Sequence, residues 1–370
     1  MSRGVRVQPR GAVRPGIRLG IPLAALVAAL VAGGLVLLAA GNDPIEAYRT
    51  MFDSSMNGVN AWTRTLTLAT PLTLTGLAAA IAFRMRVYNI GAEGQLYMGA
   101  IATSGLALWL PADTPSLVML PAIILAGAIA GAVWAAFAAV PRALLGADEI
   151  ITTLMLNFVA LSFMNYLIFG SMSFWRDPER PVPQGLALPE SAELPILSGR
   201  LHWGIFVAAG AAIGLWLLMQ RTTWGFDLRT IGDSEAAARY AGMPVAARII
   251  VVLGISGALA GLAGAVEVSG VTGRLDPKSL AVDIGFTGIV VAAVARTNPL
   301  GVVPVAVFLA AITTSGSSLQ TVGVQSEIVL LLQGLIFLSV TASEFFVTNR
   351  VETPRIRLRS APPEPEGAGA

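Results

Sequence analysis

Apolar runs long enough to cross a lipid bilayer recur along this chain and limit the folds open to it. We count ten runs, which lie near residues 19–40, 65–83, 97–110, 118–140, 150–170, 203–219, 249–268, 285–295, 300–315 and 328–347. A membrane-spanning helix needs about 20 predominantly apolar residues, and most of these runs reach that length. Only 12% of the 370 residues are charged, against about 25% in soluble domains, so the chain cannot cover a water-soluble globule with charge. The sequence therefore predicts an all-α polytopic membrane protein with about 10 transmembrane segments.

Three of the runs are short, and their flanking residues are polar. Runs 285–295 and 300–315 are separated by Arg296–Gly301, and run 97–110 follows a polar stretch, residues 84–95. Paired short segments in the two halves of a transporter often mark half-helices beside the transport pathway. We therefore expect some of the segments to be broken or re-entrant.

Arginines set the predicted orientation. With a cytoplasmic N-terminus and ten crossings, most of the 24 basic residues fall on the inside, Arg142 and Arg221 among them. Both termini are then cytoplasmic. The predicted organisation is a basic cytoplasmic tail over residues 1–18, a transmembrane domain over 19–347, and a cytoplasmic tail over 348–370, rich in proline and expected to be disordered.

The composition excludes several kinds of site. The chain has no cysteine, so it cannot hold a thiolate metal centre or a disulfide. Lys278 is the only lysine and lacks the preceding glycine of a phosphate-binding P-loop, so any ATP used must be hydrolysed by a partner subunit. His202 is the only histidine and cannot form a metal site by itself. We assign the chain no catalytic residues, no metal, no bound cofactor and no nucleic-acid partner.

Two connecting segments are long, an outer loop over residues 171–202 and an inner segment over 220–248. The inner segment contains an alanine run preceded by Asp233 and Ser234 and followed by Gly242, which predicts a short helix with a cap at each end. A short exposed helix on the cytoplasmic face is a natural docking element for another protein. The candidate docking residues are Asp233, Ser234, Glu235, Ala236, Ala237, Arg239, Tyr240 and Gly242.

A polar segment, Tyr88–Gln95, interrupts the apolar pattern between the second and third runs. Asn89, Glu93 and Gln95 stand there among two glycines, and irregular backbone at membrane depth occurs only where it is buried in protein or lines a cavity. Glu93 is costly in lipid unless it is paired or hydrated. Two interpretations stay open: a broken helix that lines a substrate path, and a cytoplasmic turn between two spans.

Two further polar residues lie inside or at the end of runs. Asn157 lies within run 150–170, where a hydrogen bond between helices is more frequent than ligand binding. Glu267 stands near the outer end of run 249–268, where a surface carboxylate is favoured over a residue facing the pathway.

Pairs of glycines four residues apart predict close helix packing in three runs. These pairs are Gly127 with Gly131, Gly210 with Gly214, and Gly257 with Gly261.

The sequence resembles the permease subunits of ABC importers for nucleosides and simple sugars, a group that extends to branched-chain amino acid and ribose permeases. The resemblance covers residues 69–346 and rests on motifs that occur in the family's order, namely Asn89–Gln95, Ala147–Asn157, Gly232–Gly242, Ala260–Ala265, Gly285–Ile289 and Asn298–Gly301. One motif departs from the related Glu-Ala-Ala-x3-Gly pattern of other ABC importers, since four residues separate Ala237 from Gly242.

The resemblance implies a chain that forms the translocation pathway of an importer in the cell membrane of a bacterial-type cell. ATP and magnesium would be bound by separate ABC ATP-binding subunits. A second permease subunit, a related chain or another copy of this one, and an extracytoplasmic solute-binding protein would complete the assembly. Residues 220–248 would contact the ATP-binding subunit, and Asn89, Glu93, Gln95 and Asn157 would lie on the substrate pathway or support it.

Two alternatives remain from the sequence. One is a branched-chain amino acid permease of the same class, although the Glu93–Gln95 form of the motif favours the nucleoside branch. The other is an ion-coupled secondary transporter, which is expected to bury several ionisable residues within its spans. This chain has few such residues and carries a predicted docking helix that a secondary transporter does not need.

Overall fold

The computed structural model describes residues 6–9, 15–170 and 173–352, and within these ranges the chain is mainly helical. The helices are α1 (Pro15–Ala39), α2 (Pro44–Met56), α3 (Val59–Arg84), α4 (Ala92–Trp109), α5 (Ser116–Leu145), α6 (Glu149–Asn165), α7 (Gly204–Arg221), α8 (Thr223–Asp233), α9 (Glu235–Tyr240), α10 (Val245–Glu267), α11 (Pro277–Leu280), α12 (Ile284–Val294), α13 (Pro299–Thr321) and α14 (Ser326–Thr348). Helix α6 continues into a π-helical turn, Tyr166–Gly170, and α10 into a second, Val268–Thr272.

Four short strands form two small antiparallel sheets. Strand β1 (Arg6–Pro9) pairs with β4 (Asn349–Glu352), and β2 (Ile196–Ser198) pairs with β3 (Leu201–His202) in the connection that precedes α7. The first pairing places the two ends of the described chain side by side. The rest of the C-terminal tail predicted to be disordered, residues 353–370, lies outside the described residues, as do residues 1–5 and 10–14 of the basic tail.

Nine helices of the described residues are long and apolar enough to cross a membrane. They correspond to nine of the ten apolar runs, and the remaining run, 97–110, is the greater part of α4. The prediction of an all-α polytopic membrane protein is confirmed. The short run 285–295 corresponds to α12, which joins with α11 to make one candidate span, Pro277–Val294, interrupted at residues 281–283.

Polar caps and prolines fix where several helices begin. Asp43, Asp148 and Asn298 each accept a hydrogen bond from a backbone N–H in the first turn of α2, α6 and α13. Pro44 and Pro299 occupy the first position of α2 and α13, where a missing N–H costs nothing. These local signals are readable in the sequence, and they set the ends of helices on which the site depends.

Helices α3 and α10 form the centre of the bundle. Helix α3 is buried on nearly all sides and packs against α10, α12 and α13, while α10 also packs along α4 and α5. Helices α1 and α14 pack against each other at the periphery and expose Leu35 and Leu330. Exposed apolar side chains of this kind are expected where the solvent is lipid.

Glycines allow α10 to approach its neighbours closely. A methyl group on Gly261 would overlap the backbone carbonyl of Gly127 in α5, and one on Gly257 would overlap that of Gly131. Close packing is thus confirmed for these pairs. The prediction of close packing is wrong for Gly210 and Gly214 of α7, where an added methyl group would meet no described atom within 4 Å.

Helix α2 is an amphipathic element that the apolar runs do not predict. Its buried Ala47 lies in a small cluster with Leu37 of α1 and Leu319 of α13, and the hydroxyl of Tyr48 donates a hydrogen bond to the carbonyl of Leu30. Only one face of α2 is apolar, so it escapes a search for continuous apolar runs.

Candidate functional site

Residues 85–91 form an irregular, largely buried connection between α3 and α4, the segment that contains the predicted Asn89. The Asn89 and Gln95 side-chain amides bond to each other in both directions, at 2.9 and 3.1 Å. Asn89 Nδ2 also donates to Ser256 Oγ of α10 at 2.8 Å, and Ser256 in turn donates to the Ala78 carbonyl of α3 at 2.6 Å. Asn89 therefore joins this connection to both central helices.

Asn157 holds the same connection from α6. Its Oδ1 accepts the Gly94 N–H at 2.8 Å, and its Nδ2 donates to the Ile90 carbonyl at 2.9 Å. A side chain on Gly94 would press against Asn157, so the glycine permits the approach of the two helices. The expectation that Asn157 forms a hydrogen bond between helices is confirmed, since Gly94 belongs to α4 and Asn157 to α6.

Glu93 is buried and links α4 to α12. One carboxylate oxygen accepts the Tyr97 hydroxyl at 2.7 Å, and the other accepts the backbone N–H of Gly285 in the first turn of α12. Gly285 is required because a Cβ there would overlap the backbone of Glu93.

The four residues predicted for the pathway are thus buried together, and their polar groups bond to protein. Asn89 uses both of its donors and accepts at its oxygen, and each oxygen of Glu93 has a partner. This arrangement favours a supporting role for these residues over direct contact with a solute. Their place on the pathway stays a prediction.

The predicted docking segment is an exposed short helix, α9. Ser234 caps it by accepting the Ala237 N–H at 3.2 Å, and Gly242 ends it with φ at +78°, a conformation that favours glycine. Only Ala238 of α9 is fully buried, whereas Tyr240 is 97% exposed. The remaining candidates also lie at the surface: Asp233, Ala236, Ala237 and Arg239 are exposed and Glu235 is partly so.

Arg142, at the end of α5, connects α9 to the buried segment. Its guanidinium lies 3.5 Å from Glu235 of α9 and 2.8 Å from Glu149 at the start of α6. Glu149 in turn accepts the Tyr88 backbone N–H at 3.2 Å. A continuous chain of polar contacts therefore runs from the exposed helix to the connection that holds Asn89.

A cavity of about 580 Å³ opens at the opposite end of α3, within the range of small-molecule sites, about 300–1,000 Å³. Three elements and one loop line it. The lining residues are Arg64, Thr67 and Leu68 of α3, Glu267, Gly270 and Val271 at the end of α10, Thr313, Thr314 and Ser317 of α13, and Ile196, Gly199 and Arg200 of the β2–β3 hairpin.

Glu267 is the ionisable residue inside this cavity that sequence reasoning placed at the surface. That interpretation is wrong, since Glu267 is only 8% exposed. Its carboxylate forms no ion pair or hydrogen bond with any residue that the structure describes, although it lines the cavity. The run of apolar residues around it gave no sign that α3, α13 and the hairpin would close over it.

His202, in β3, packs beside this region. Its imidazole is fully buried against Gly204 and Gly270, and Nδ1 accepts the Gly204 N–H at 3.1 Å. Burial lowers the pKa of His202 to about 4, so the imidazole is neutral at physiological pH. The two glycines provide the room for the ring.

Together, the helical bundle, the polar cavity at one end and the exposed short helix at the other define a membrane-embedded transport component. Comparison with known families makes this specific. Residues 62–341 match the family model described as branched-chain amino acid transport system / permease component, and the chain belongs to this family.

Relatives of known name support the same conclusion. The chain is 35% identical over 332 residues to the glucose ABC transporter permease protein of Haloferax volcanii, which covers 86% of each chain. It is 34% identical over 317 residues to the guanosine ABC transporter permease protein of Bacillus subtilis, covering 84% of this chain and 90% of that one. It is 30% identical over 309 residues to a nucleoside ABC transporter permease protein of Lactococcus lactis, covering 80% of this chain and 83% of that one. The resemblance inferred from the motifs is confirmed.

Proposed function

We propose that this chain is the membrane-spanning subunit of an ATP-driven importer of nucleosides or simple sugars. The observation that carries the proposal is its similarity, over most of its length, to relatives named as glucose, guanosine and nucleoside permeases. The cavity at the end of α3 supports it, since the cavity offers hydroxyl side chains suited to a polar solute.

The other parts of the importer follow from the same class. ATP and magnesium bind to separate ABC ATP-binding subunits and not to this chain. A second permease subunit, a related chain or another copy, forms the pathway with it, and a solute-binding protein delivers the solute. The assembly lies in the cell membrane with both termini of this chain cytoplasmic, and α9 faces the ATP-binding subunit.

The contacts within the chain supply a route between ATP-binding subunit and solute. Movement of α9 acts on Arg142 through Glu235, and then on the 85–91 connection through Glu149. Asn89 and Ser256 pass this movement to α10, whose far end carries Glu267 in the cavity. In this scheme Asn89, Glu93, Gln95 and Asn157 support the pathway by keeping α4, α6, α10 and α12 in register.

The proposal is tested by reconstituting this chain in proteoliposomes with its ATP-binding, permease and solute-binding partners. Uptake of labelled nucleosides, sugars and branched-chain amino acids is then compared. We expect uptake of a nucleoside or a sugar that needs both ATP and the solute-binding protein. The matched control is the same assembly with an ATP-binding subunit whose P-loop lysine is replaced.

Two results would count against the proposal. Uptake of branched-chain amino acids alone would keep the class of transporter but change the solute. If this chain purifies without any ATP-binding subunit and uptake does not depend on ATP, the proposal of ATP-driven import is wrong.

A further inference from the structure

The cavity beside Glu267 has exposed residues at its mouth and buried residues at its floor. Arg64 and Arg200 are exposed and lie at the mouth, where water surrounds their charges. Glu267, Thr67 and Thr314 are buried and form the floor. A solute that enters the cavity meets the carboxylate only after it has left bulk water.

The carboxylate at the floor lacks a partner in the chain. A buried carboxylate without hydrogen-bond donors is costly, and buried charges in proteins are normally paired. Glu267 has neither an ion pair nor a donor among the residues that the structure describes, yet its side chain reaches the cavity. By contrast, the buried Glu93 has a donor on each oxygen. Glu267 is therefore available to a ligand that brings its own donors.

The hydroxyl groups around the cavity are also acceptors. Thr67, Thr313 and Ser317 each donate their hydroxyl proton to a backbone carbonyl in the preceding helical turn, at 2.7, 3.0 and 2.9 Å. Their oxygens keep lone pairs that can accept hydrogen bonds. The floor of the cavity therefore offers acceptors to a ligand, while the guanidinium donors of Arg64 and Arg200 stand at the mouth.

We infer that Glu267 binds adjacent hydroxyl groups of a neutral solute, with its two oxygens accepting one hydrogen bond from each hydroxyl. A vicinal diol supplies two donors at the separation that a carboxylate accepts, and hydrogen bonds to a charged acceptor are the stronger kind. Ribose within a nucleoside and a free sugar share this chemistry. The inference rests on the proposed import function and names the solute group that this chain recognises.

The test is a cycle that changes the protein and the solute separately. ATP-driven uptake below saturation is measured for wild type and Glu267→Gln, with a nucleoside and its 2′-deoxy analogue, and in parallel with ribose and 2-deoxyribose. Selection by the solute-binding protein is the same for both permeases, so it cancels in the ratio of variant to wild type. Glu190→Gln, an exposed carboxylate of the outer loop, is the matched control.

We expect Glu267→Gln to lower uptake of the solute with the intact diol about 10- to 100-fold, which is the effect of losing a hydrogen bond to a charged group. Its effect on the deoxy analogue should be clearly smaller, and Glu190→Gln should change neither. The pair of solutes that shows this difference identifies the source of the diol, nucleoside or free sugar. Glu267→Asp is the second variant: it keeps the carboxylate but withdraws it from the cavity, so it should also lower uptake of the intact diol more than uptake of the deoxy analogue.

Two outcomes overturn the inference while import stands: equal losses for intact and deoxy solutes, or no loss in Glu267→Gln. Absence of any ATP-driven uptake by wild type is a different failure. It removes the proposed function, and the inference with it.

Discussion

The Glu93 carboxylate of α4 accepts the backbone N–H of Gly285 and so caps the first turn of α12 from another helix. Two segments that stand far apart in the sequence, Asn89–Gln95 and Gly285–Ile289, thus pack against each other. A Cβ added to Gly288 of the second segment would overlap Thr75 of α3, just as one added to Gly285 would overlap Glu93. The motifs that mark the family are therefore, in large part, residues that hold helices together.

Replacement of Glu93 by alanine should destabilise the protein. The Gly285 N–H and the Tyr97 hydroxyl would lose their acceptor inside the bundle, and each unsatisfied buried group costs about 1–3 kcal/mol. We expect a lower midpoint of thermal unfolding in detergent. Glu190→Ala, which removes an exposed carboxylate, should leave the midpoint unchanged; equal midpoints for the two variants would disprove the cap.

Two glycines of α10 should respond in opposite ways to the same change. Gly261→Ala forces a methyl group into the Gly127 carbonyl of α5, and overpacking of this kind costs about 1–3 kcal/mol. Gly254→Ala meets no described atom within 4 Å, and in a helix interior alanine is favoured over glycine by about 1 kcal/mol. We therefore expect a lower thermal midpoint for Gly261→Ala and no loss for Gly254→Ala. A Gly261→Ala protein as stable as wild type would contradict the close contact of α5 and α10.

Arg142 should matter for coupling as well as for stability. Arg142→Gln leaves the buried Glu149 without its cation and should lower the thermal midpoint. The double variant Arg142→Gln/Glu149→Gln replaces the ion pair by neutral amides that can still accept from Tyr88. We expect it to recover stability while the stimulation of ATP hydrolysis by solute and binding protein falls about fivefold or more, the lower end of typical coupling energies.

The outcome for the double variant separates two roles of Arg142. Recovered stability with weakened stimulation supports a role in transmission from α9. Recovered stability with wild-type stimulation would show that the contacts of Arg142 with Glu149 and Glu235 are structural only.

A bulky charge on α9 should prevent docking of the ATP-binding subunit. Ala237 is exposed, so Ala237→Arg should leave the fold intact and yet abolish copurification and ATP-driven uptake. Ala112→Arg places the same change in the exposed turn that follows α4. It should preserve both copurification and ATP-driven uptake. Full uptake by Ala237→Arg would move the docking surface away from α9.

His202 should make stability depend on pH between about 4 and 6.5. Burial lowers the folded-state pKa to about 4, whereas an unfolded histidine has a pKa near 6.5, so the unfolded chain binds a proton first as pH falls. The contribution is complete above pH 6.5 and is lost on acidification through this window, by about 3 kcal/mol. The thermal midpoint of His202→Gln should change less between pH 7.5 and pH 5 than that of wild type; an equal change would contradict the account.

Much of the bundle was predictable because lipid imposes simple rules on a chain. Continuous apolar runs identified the spanning helices, and Gly242 marked the end of the short helix α9. The caps that the structure shows at Asp148 and Asn298 are local features of the same kind. These features depend on neighbours within a few residues. Helix α2 was missed because only one of its faces is apolar.

The candidate site was less predictable because it depends on contacts between distant segments. Arg142 and Glu235 stand far apart in the sequence, and nothing local indicates that they meet. Glu267 was interpreted as a surface carboxylate because it ends an apolar run, yet α3, α13 and the β2–β3 hairpin cover it. Spacing alone also could not distinguish Gly257 and Gly261, which contact α5, from the outward-facing Gly210 and Gly214 of α7.

The most direct test of the central claim is the energy source of uptake into proteoliposomes that hold the complete assembly. Nucleosides and sugars are supplied with the solute-binding protein, first with ATP and no ion gradient, then with a proton or sodium gradient and no ATP. Our account predicts uptake of one of these solutes with ATP alone. Uptake driven by the ion gradient without ATP would contradict it and would identify an ion-coupled secondary transporter.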